Sequence, residues 1–191
     1  IASMRAMLTP MLNAFVPHTV TREGVSLHTR IGGEGPPLLL LHGHPQSMAM
    51  WHRVAPTLAQ HFTLVLMDLR GYGDSSRPAP DAAHLNHSKR EMALDAIAAM
   101  AHHGFERFDV LAHDRGARVA HRLALDHPAR VQKLCVLDIA PTLDMYAATD
   151  FEFAKAYYHW FHLIQPAPLP ETLIGGIPLP YLHDPFGRSL S

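Results

Sequence analysis

Several features are scarce in this sequence, and each scarcity excludes a class of protein. The chain has 191 residues and a single cysteine, which excludes an internal disulfide framework and a cysteine zinc site. Its net charge of -1 provides no basic face for nucleic acid or anionic lipid. No apolar run approaches the roughly 18 residues of a membrane helix. No signal-peptide pattern is visible, so we expect a cytoplasmic protein without nucleic-acid or membrane partners.

Histidine, by contrast, is abundant, with 16 residues of this type. Their spacing nevertheless lacks an H-E-x-x-H motif, and the closest approaches are His42 with His44 and His102 with His103. The loop at 71–75 begins like a dinucleotide motif, but two prolines follow it and prevent the helix that such a motif needs. We therefore expect neither a metal site nor a cofactor.

The order of the hydrophobic segments predicts the fold. Hydrophobic residues make up 48% of the chain and charged residues 17%, which is an ordinary balance for a globular protein. Two alternating segments at 15–21 and 25–31 predict a hairpin. Apolar strands then alternate with helical spacing, and this pattern predicts a mostly parallel α/β sheet with flanking helices. The expected strands are 37–42, 62–68, 108–113 and 131–139, and the expected helices are 51–59, 88–103 and 115–126.

The character of the sequence changes near residue 140. Residues 12–139 read as the α/β core, in which Cys135 is expected to be a small core residue of its strand. Residues 140–191 read as the start of a helical cap with an atypical tail. Aromatic residues crowd the first part of this segment and prolines the second, and no further apolar strand follows.

The sharpest motif lies where the strand at 108–113 runs into the next helix. Small residues around Asp114 permit a tight strand-to-helix turn of the nucleophile-elbow type, whose central residue is exposed. A carboxylate at that position can attack carbon and form an ester. The alternative is that Asp114 is only a helix N-cap. No G-x-S-x-G motif occurs, which disfavours a serine hydrolase.

Arg115 and Arg118 lie one helical turn apart directly after this aspartate. Cations are disfavoured at a helix N-terminus, so their presence makes sense if an anion binds beside Asp114. The alternative is a surface pair, solvated or bridged to Asp126 or Glu106. Asp138 ends the next strand, where a buried acid commonly orients a catalytic histidine. Its alternative role is to cap the following loop.

Taken together, these motifs resemble the α/β-hydrolase fold family, and more narrowly the haloacetate (fluoroacetate) dehalogenases, over roughly residues 12–176. The most discriminating piece is Asp-Arg-x-x-Arg at 114–118. The matching stretches are L-L-L-L-H-G-H-P-Q at 38–46, D-L-R-G-Y-G-D-S at 68–75, S-K-R-E-M-A at 88–93, A-H-D-R-G-A-R-V-A-H-R at 112–122, V-L-D-I-A-P-T at 136–142 and Y-Y-H-W-F at 157–161.

The resemblance implies hydrolysis of a 2-haloacetate to glycolate and halide through an aspartyl ester. Asp114 would be the nucleophile, while Arg115 and Arg118 would hold the substrate carboxylate. Asp138 would orient the catalytic histidine. The backbone N–H groups of His44 and Arg115 would form the oxyanion hole.

In the cap segment, the resemblance makes His159 and Trp160 halide-binding residues; their alternative role is aromatic packing in a cap helix. The family's chain continues beyond the matched stretch with further cap, two strands, a halide-binding tyrosine and the catalytic histidine. We therefore expect this chain to correspond to an N-terminal portion, and we see no reason to place His183 at the position of the base.

Two other functions stay open. The first is an epoxide hydrolase of the same fold, which would use cap tyrosines such as Tyr157, Tyr158 and Tyr181 and is disfavoured by the arginine pair. The second is a non-catalytic carboxylate-binding remnant. An exposed sheet edge would also make pairing with another chain, as in a homodimer, plausible.

Overall fold

The computed structural model describes residues 12–178 and 180–181 of the chain. The chain divides into two compact units, residues 1–141 and 142–191. The first unit contains a six-stranded sheet in the order β1-β2-β4-β3-β5-β6. The strands are β1 (Val16–Arg22), β2 (Val25–Gly32), β3 (Pro37–Leu41), β4 (Thr63–Met67), β5 (Phe108–His113) and β6 (Val131–Leu137).

The four strands β4, β3, β5 and β6 pair in parallel, which confirms the predicted mostly parallel sheet. Each central strand is a short apolar run because both of its faces are covered. The helices α2 (Lys89–His102) and α3 (Asp114–Asp126) follow β4 and β5 along the chain and supply part of that cover. Leu39 of β3 and Val110 of β5 belong to one apolar cluster with the buried faces of both helices.

The predicted hairpin is also present. Strands β1 and β2 pair in antiparallel register, with His18 opposite Thr29. Glu23 and Gly24 form the turn, and both have positive φ values of 49° and 79°. Two successive residues with positive φ are typical of the tight turns that match the twist of a hairpin.

The segment predicted as one helix at 51–59 is divided into two short pieces. A 3₁₀ helix spans Met48–Arg53, and the short helix α1 spans Ala55–Leu58. Pro56 lies in the first turn of α1. Since proline has no N–H group and clashes with the preceding turn, it starts a new helix rather than continuing one.

Strand β6 differs from the other parallel strands because it lies at the edge of the sheet and all of its residues after Val131 are exposed. The expectation that Cys135 is a core residue is therefore wrong: its side chain is exposed. The side chains of an apolar strand are buried only if other elements cover both faces of the strand. The sequence of β6 alone does not show whether such elements are present. Among the described residues, nothing pairs with its outer edge.

The second unit is helical in its described part. Its helices are α4 (Thr142–Ala147), α5 (Phe151–Ala156), α6 (Tyr158–Leu163) and α7 (Leu169–Gly176). Asp150 caps α5 by accepting a 2.8 Å hydrogen bond from the N–H of Phe153. Aromatic side chains hold the first three helices together, as in the 4.8 Å stack of Phe153 on Tyr157. Within the described chain, no helix is both long and apolar enough to cross a bilayer.

Candidate active site

Asp114 lies at the junction of β5 and α3 and has a left-handed backbone with φ 46°. This conformation is strained for a residue other than glycine and is held by the packing around it. A Cβ atom at Gly116 would lie 2.7 Å from the carbonyl oxygen of Leu41 and closer still to that of His42. Only glycine therefore lets α3 approach β3 so closely, and the predicted strand-to-helix elbow is present.

The carboxylate of Asp114 is held from the opposite side by the loop that follows β3. The backbone N–H of His44 donates a 2.8 Å hydrogen bond to its Oδ1. A Cβ atom at Gly43 would lie 2.7 Å from the same oxygen. A side chain at position 43 would therefore displace the aspartate, and the glycine leaves room for the donor at position 44.

This loop is fixed by two buried polar side chains. The Nε2 of His42 accepts a 3.0 Å hydrogen bond from the N–H of Leu69, so the ring proton lies on Nδ1 and is donated to the carbonyl oxygen of Gly43 at 2.8 Å. Burial lowers the pKa of His42, which keeps the ring neutral. The Oδ1 of Asp68 accepts a 2.7 Å hydrogen bond from the N–H of Met48.

Arg115 and Arg118 both lie in the first turns of α3 and are half-buried. The two acids that could have bridged them as a surface pair bind other arginines. Asp126 pairs with Arg122 and Arg90, and Glu106 pairs with Arg130. The two acids named in the surface-pair alternative therefore have other arginine partners.

Tyr72, to which the sequence assigns no role, connects the two sides of the site. Its hydroxyl lies 3.0 Å from the Nδ1 of His44 and within hydrogen-bonding reach of the Arg115 guanidinium. Burial raises the pKa of the Tyr72 phenol, and the guanidinium opposes this shift. The phenol is therefore un-ionised at neutral pH, and it lies beside Arg115.

Lys89, the first residue of α2, is a further cation at this site that motif reasoning passed over. Burial, followed by repulsion from Arg115 and Arg118, lowers the pKa of the Lys89 ammonium to about 8, and attraction to Asp114 partly offsets the shift. Lys89 thus lies near enough to Arg115, Arg118 and Asp114 for their charges to interact, and an anionic ligand would balance the positive charge of the three cations. In the sequence, the one indication of a role for Lys89 is that it belongs to the stretch S-K-R-E-M-A at 88–93, which contributes to the family resemblance.

Asp138 follows the end of β6 and has φ 53°. The expectation that it is a buried acid is wrong, because its side chain is exposed. Its position on the edge strand explains the exposure, since the residues before it in β6 are also exposed. The described residues give it no histidine partner, so its role in orienting a base stays a prediction.

His159 and Trp160 lie in α6 of the second unit, and both are half-buried. Their ring centroids are 6.4 Å apart and nearly perpendicular. Trp160 also contacts Phe153 and Tyr157, at centroid distances of 6.0 and 5.7 Å. Aromatic packing thus accounts for part of the surface of Trp160, and halide binding by the pair stays a prediction.

The described histidines near Asp114 form no set of three metal ligands. Among the described residues, one group of three metal-ligating side chains could hold an ion, and it consists of His18, His102 and His103. Burial and the neighbouring rings lower the pKa of His103 to about 4. This group lies on β1 and at the end of α2, apart from the elbow at Asp114.

Comparison with known proteins agrees with this geometry. A family model described as the alpha/beta hydrolase fold matches residues 36–183. The chain belongs to the α/β hydrolase fold family. This α/β hydrolase is 51% identical over 168 residues to a fluoroacetate dehalogenase of Burkholderia sp, and the match covers 88% of this chain and 55% of that protein. It is 40% identical over 126 residues to a soluble epoxide hydrolase of Corynebacterium sp. strain C12, covering 66% and 42% of the two chains.

Solved structures give the same fold. An alpha/beta hydrolase from Nostoc sp PCC 7120 superposes with a TM-score of 0.89 at 57% identity, covering 92% of this α/β hydrolase and 60% of that chain. An epoxide hydrolase from Pseudomonas aeruginosa superposes with a TM-score of 0.85 at 45% identity, covering 93% and 60%. The chain spans about half the length of the curated relatives it matches.

Proposed function

We propose that this α/β hydrolase carries the nucleophile of a haloacetate dehalogenase, Asp114, together with cations that bind the substrate carboxylate. These cations, Arg115, Arg118 and Lys89, are called the carboxylate clamp. The observation that carries the proposal is the placement of Asp114 with three cationic side chains, because Arg115 and Arg118 follow it in the first turns of α3 and the charge of Lys89 interacts with all three residues. Cations beside the nucleophile suit an anionic substrate, because guanidinium groups bind carboxylates in a bidentate manner. The 51% identity to a fluoroacetate dehalogenase supports the same substrate class.

In the first step, one carboxylate oxygen of Asp114 attacks the α-carbon of the haloacetate. A carbon–oxygen bond forms, the carbon–halogen bond breaks, and halide leaves with its electron pair. Because the Oδ1 is held by the N–H of His44, we assign the attack to Oδ2. The cations hold the substrate carboxylate, so that the α-carbon is directed at the nucleophile. His159 and Trp160 are the proposed donors to the departing halide.

In the second step, water adds to the ester carbonyl, glycolate leaves and the Asp114 carboxylate is restored. The Oδ1 then carries the negative charge, and the His44 N–H already donates to it. The N–H of Arg115 lies in the first turn of α3, where backbone donors have no partner within the helix, and would be the second donor. A general base for this water contributes about 10²–10⁴-fold, and Asp138 is proposed to orient it.

The test is covalent labelling of the 191-residue chain by chloroacetate or fluoroacetate. Cys135 is exposed and can be alkylated with the same mass change, so the experiment uses a Cys135→Ser background. We expect halide release and one added carboxymethyl group, located on Asp114 by peptide mapping and removed by hydroxylamine as an ester. Without an assigned base, about one halide per chain should appear.

Release of many halides per chain would mean that another group, such as His183 outside the described residues or a histidine of a second chain, acts as the base. Neither halide nor ester would favour the non-catalytic remnant. The epoxide hydrolase alternative is supported by the 40% identical relative of that name and by the buried Tyr181 hydroxyl, which has no partner among the described residues. Esterification of Asp114 by a neutral epoxide but not by haloacetate would favour that alternative.

A further inference from the structure

The first strand of the sheet and the end of α2 bring together three histidines that the proposed reaction does not use. His18 lies on β1, His102 is the last residue of α2, and His103 caps that helix. Each offers one ring nitrogen, and these three nitrogens all lie within 4.8 Å of one another. His18 is distant from the other two in the sequence, which explains why spacing alone pointed away from a metal site.

The three rings contact one another edge to face and are not stacked. The ring centroids of His18 and His103 are 4.9 Å apart at 88°, and those of His102 and His103 are 5.0 Å apart at 85°. The third pair, His18 and His102, is 5.8 Å apart at 69°. Three nitrogens at about 2.0–2.1 Å from a tetrahedral zinc ion lie about 3.4 Å apart, so modest side-chain rotations would close the set around one ion.

Hydrogen bonds hold His103 in place, and strand pairing holds His18. The N–H of His103 donates a 3.1 Å hydrogen bond to the carbonyl oxygen of Met100, and Gly104 ends the helix with φ 84°. The Oγ1 of buried Thr29, the residue opposite His18 in the hairpin, lies 3.2 Å from the Nε2 of His103. If that hydroxyl accepts the Nε2 proton, the lone pair of Nδ1 is directed away from it and is available to a metal.

We propose that His18, His102 and His103 form a binding site for one divalent transition-metal ion of the zinc class. Imidazole nitrogen suits Zn²⁺, Ni²⁺ and Cu²⁺, whereas Mg²⁺ and Ca²⁺ prefer oxygen ligands. The exposed side of His102 leaves a fourth position for water. The ion would join the edge strand β1 to the end of α2, and its binding to the folded chain would stabilise the fold.

The experiment is calorimetric titration of the full chain with ZnCl₂, repeated with MgCl₂. The variants are His18→Ala and His102→Ala, and the matched control is His61→Ala, an exposed histidine outside the group. We expect one Zn²⁺ per chain, no Mg²⁺ binding, and an affinity about tenfold or more weaker in each group variant but unchanged in the control. Zn²⁺ should also raise the melting temperature of the parent chain and of His61→Ala.

Two results would overturn the proposal: no saturable Zn²⁺ binding by the parent chain, or the same loss of affinity in His61→Ala as in the group variants. Because His18 lies on a strand of the sheet, His18→Asn serves as a milder second variant, and circular dichroism checks that each variant is folded. Co²⁺ in place of Zn²⁺ reports the geometry, since a tetrahedral nitrogen site gives visible absorption that the His102→Ala variant should lose.

Discussion

Strands β5 and β6 are parallel neighbours, and each leads into an aspartate with positive φ, yet their surroundings differ. Phe108 and Val110 of β5 are at most 1% exposed, whereas Leu134 and Val136 of β6 are 39% and 43% exposed. The well-packed β5 leads into the strained turn at Asp114, whose carboxylate contacts the loop after β3. At the end of β6 no comparable packing is present among the described residues.

The difference teaches that the two halves of the proposed reaction depend on different parts of the molecule. The nucleophile, its backbone donor and the cations are half-buried and belong to the well-packed first unit. Asp138 and the base it would orient depend on whatever covers the exposed edge. An apolar edge strand of this kind is also a site for pairing with another chain, so the predicted homodimer stays open.

The largest expected effect is the difference in ester formation between variants of Asp114 and Asp138. Asp114→Asn should abolish ester formation completely, because an amide is a poor nucleophile. Asp138→Asn should still form the ester, since its proposed role begins with the water step. Intact-mass measurement after incubation with chloroacetate checks both, again in the Cys135→Ser background. Labelling that survives in Asp114→Asn would remove this residue from the mechanism.

A comparison of two leucines tests the difference in packing directly. Leu39→Ala in β3 should lower the free energy of unfolding by about 2–5 kcal/mol, because the side chain is fully buried. Leu134→Ala in β6 should change it by only about 0.5 kcal/mol. Urea denaturation of both variants measures the two values. Similar losses would indicate that β6 is covered in solution, for example by a second copy of the chain.

The charge of the ligand tests the carboxylate clamp. Haloacetate should bind more tightly than haloacetamide by about 1.5–3 kcal/mol, the worth of a hydrogen bond to a charged group. The preference should shrink in Arg118→Met and persist in Arg122→Met, an arginine of the same helix that pairs with Asp126. Calorimetry with the Asp114→Asn chain avoids reaction during the titration. Equal affinity for the two ligands would show that the arginines do not bind the carboxylate and would favour the surface-pair alternative.

The smallest expected effect concerns pH and Lys89. Its pKa of about 8 lies below the ordinary 10.5 of lysine, so the folded chain loses this positive charge as the pH rises through 8. Binding of haloacetate should therefore weaken above that pH by up to about 1 kcal/mol. Lys89→Arg should remove this step, because arginine stays charged. Haloacetate binding that does not change with pH across this range in the parent chain would place Lys89 outside the clamp.

The same shift has a consequence for stability, with the opposite sign. Between about pH 8 and 10.5 the unfolded chain binds the Lys89 proton and the folded chain does not. The contribution of this group to the free energy of unfolding therefore rises with pH across that window and is smallest below pH 8. Denaturation of the parent chain and of Lys89→Met at both ends of the window isolates this contribution.

The sequence by itself determined the parallel sheet, the elbow at Asp114 and the clustering of the two arginines. These features are local: apolar runs, a small residue at 116 and a one-turn spacing each act within a few residues. The sequence did not determine the exposure of Asp138 and Cys135. An apolar strand has the same sequence pattern at the centre of a sheet, where it is buried, as at the edge, where it is exposed.

Only the tertiary structure brought Lys89 and Tyr72 to Asp114, and His18 to the end of α2. Each of these residues meets its neighbours through a crossover of the sheet or through strand pairing. They are so far apart in the sequence that residue spacing does not predict the contacts. The charges and the burial around Lys89 and Tyr72 determine their protonation at the site. The lowered pKa of Lys89 exists only because burial and two arginines act on it together, and neither condition can be read from residues 88–93 alone.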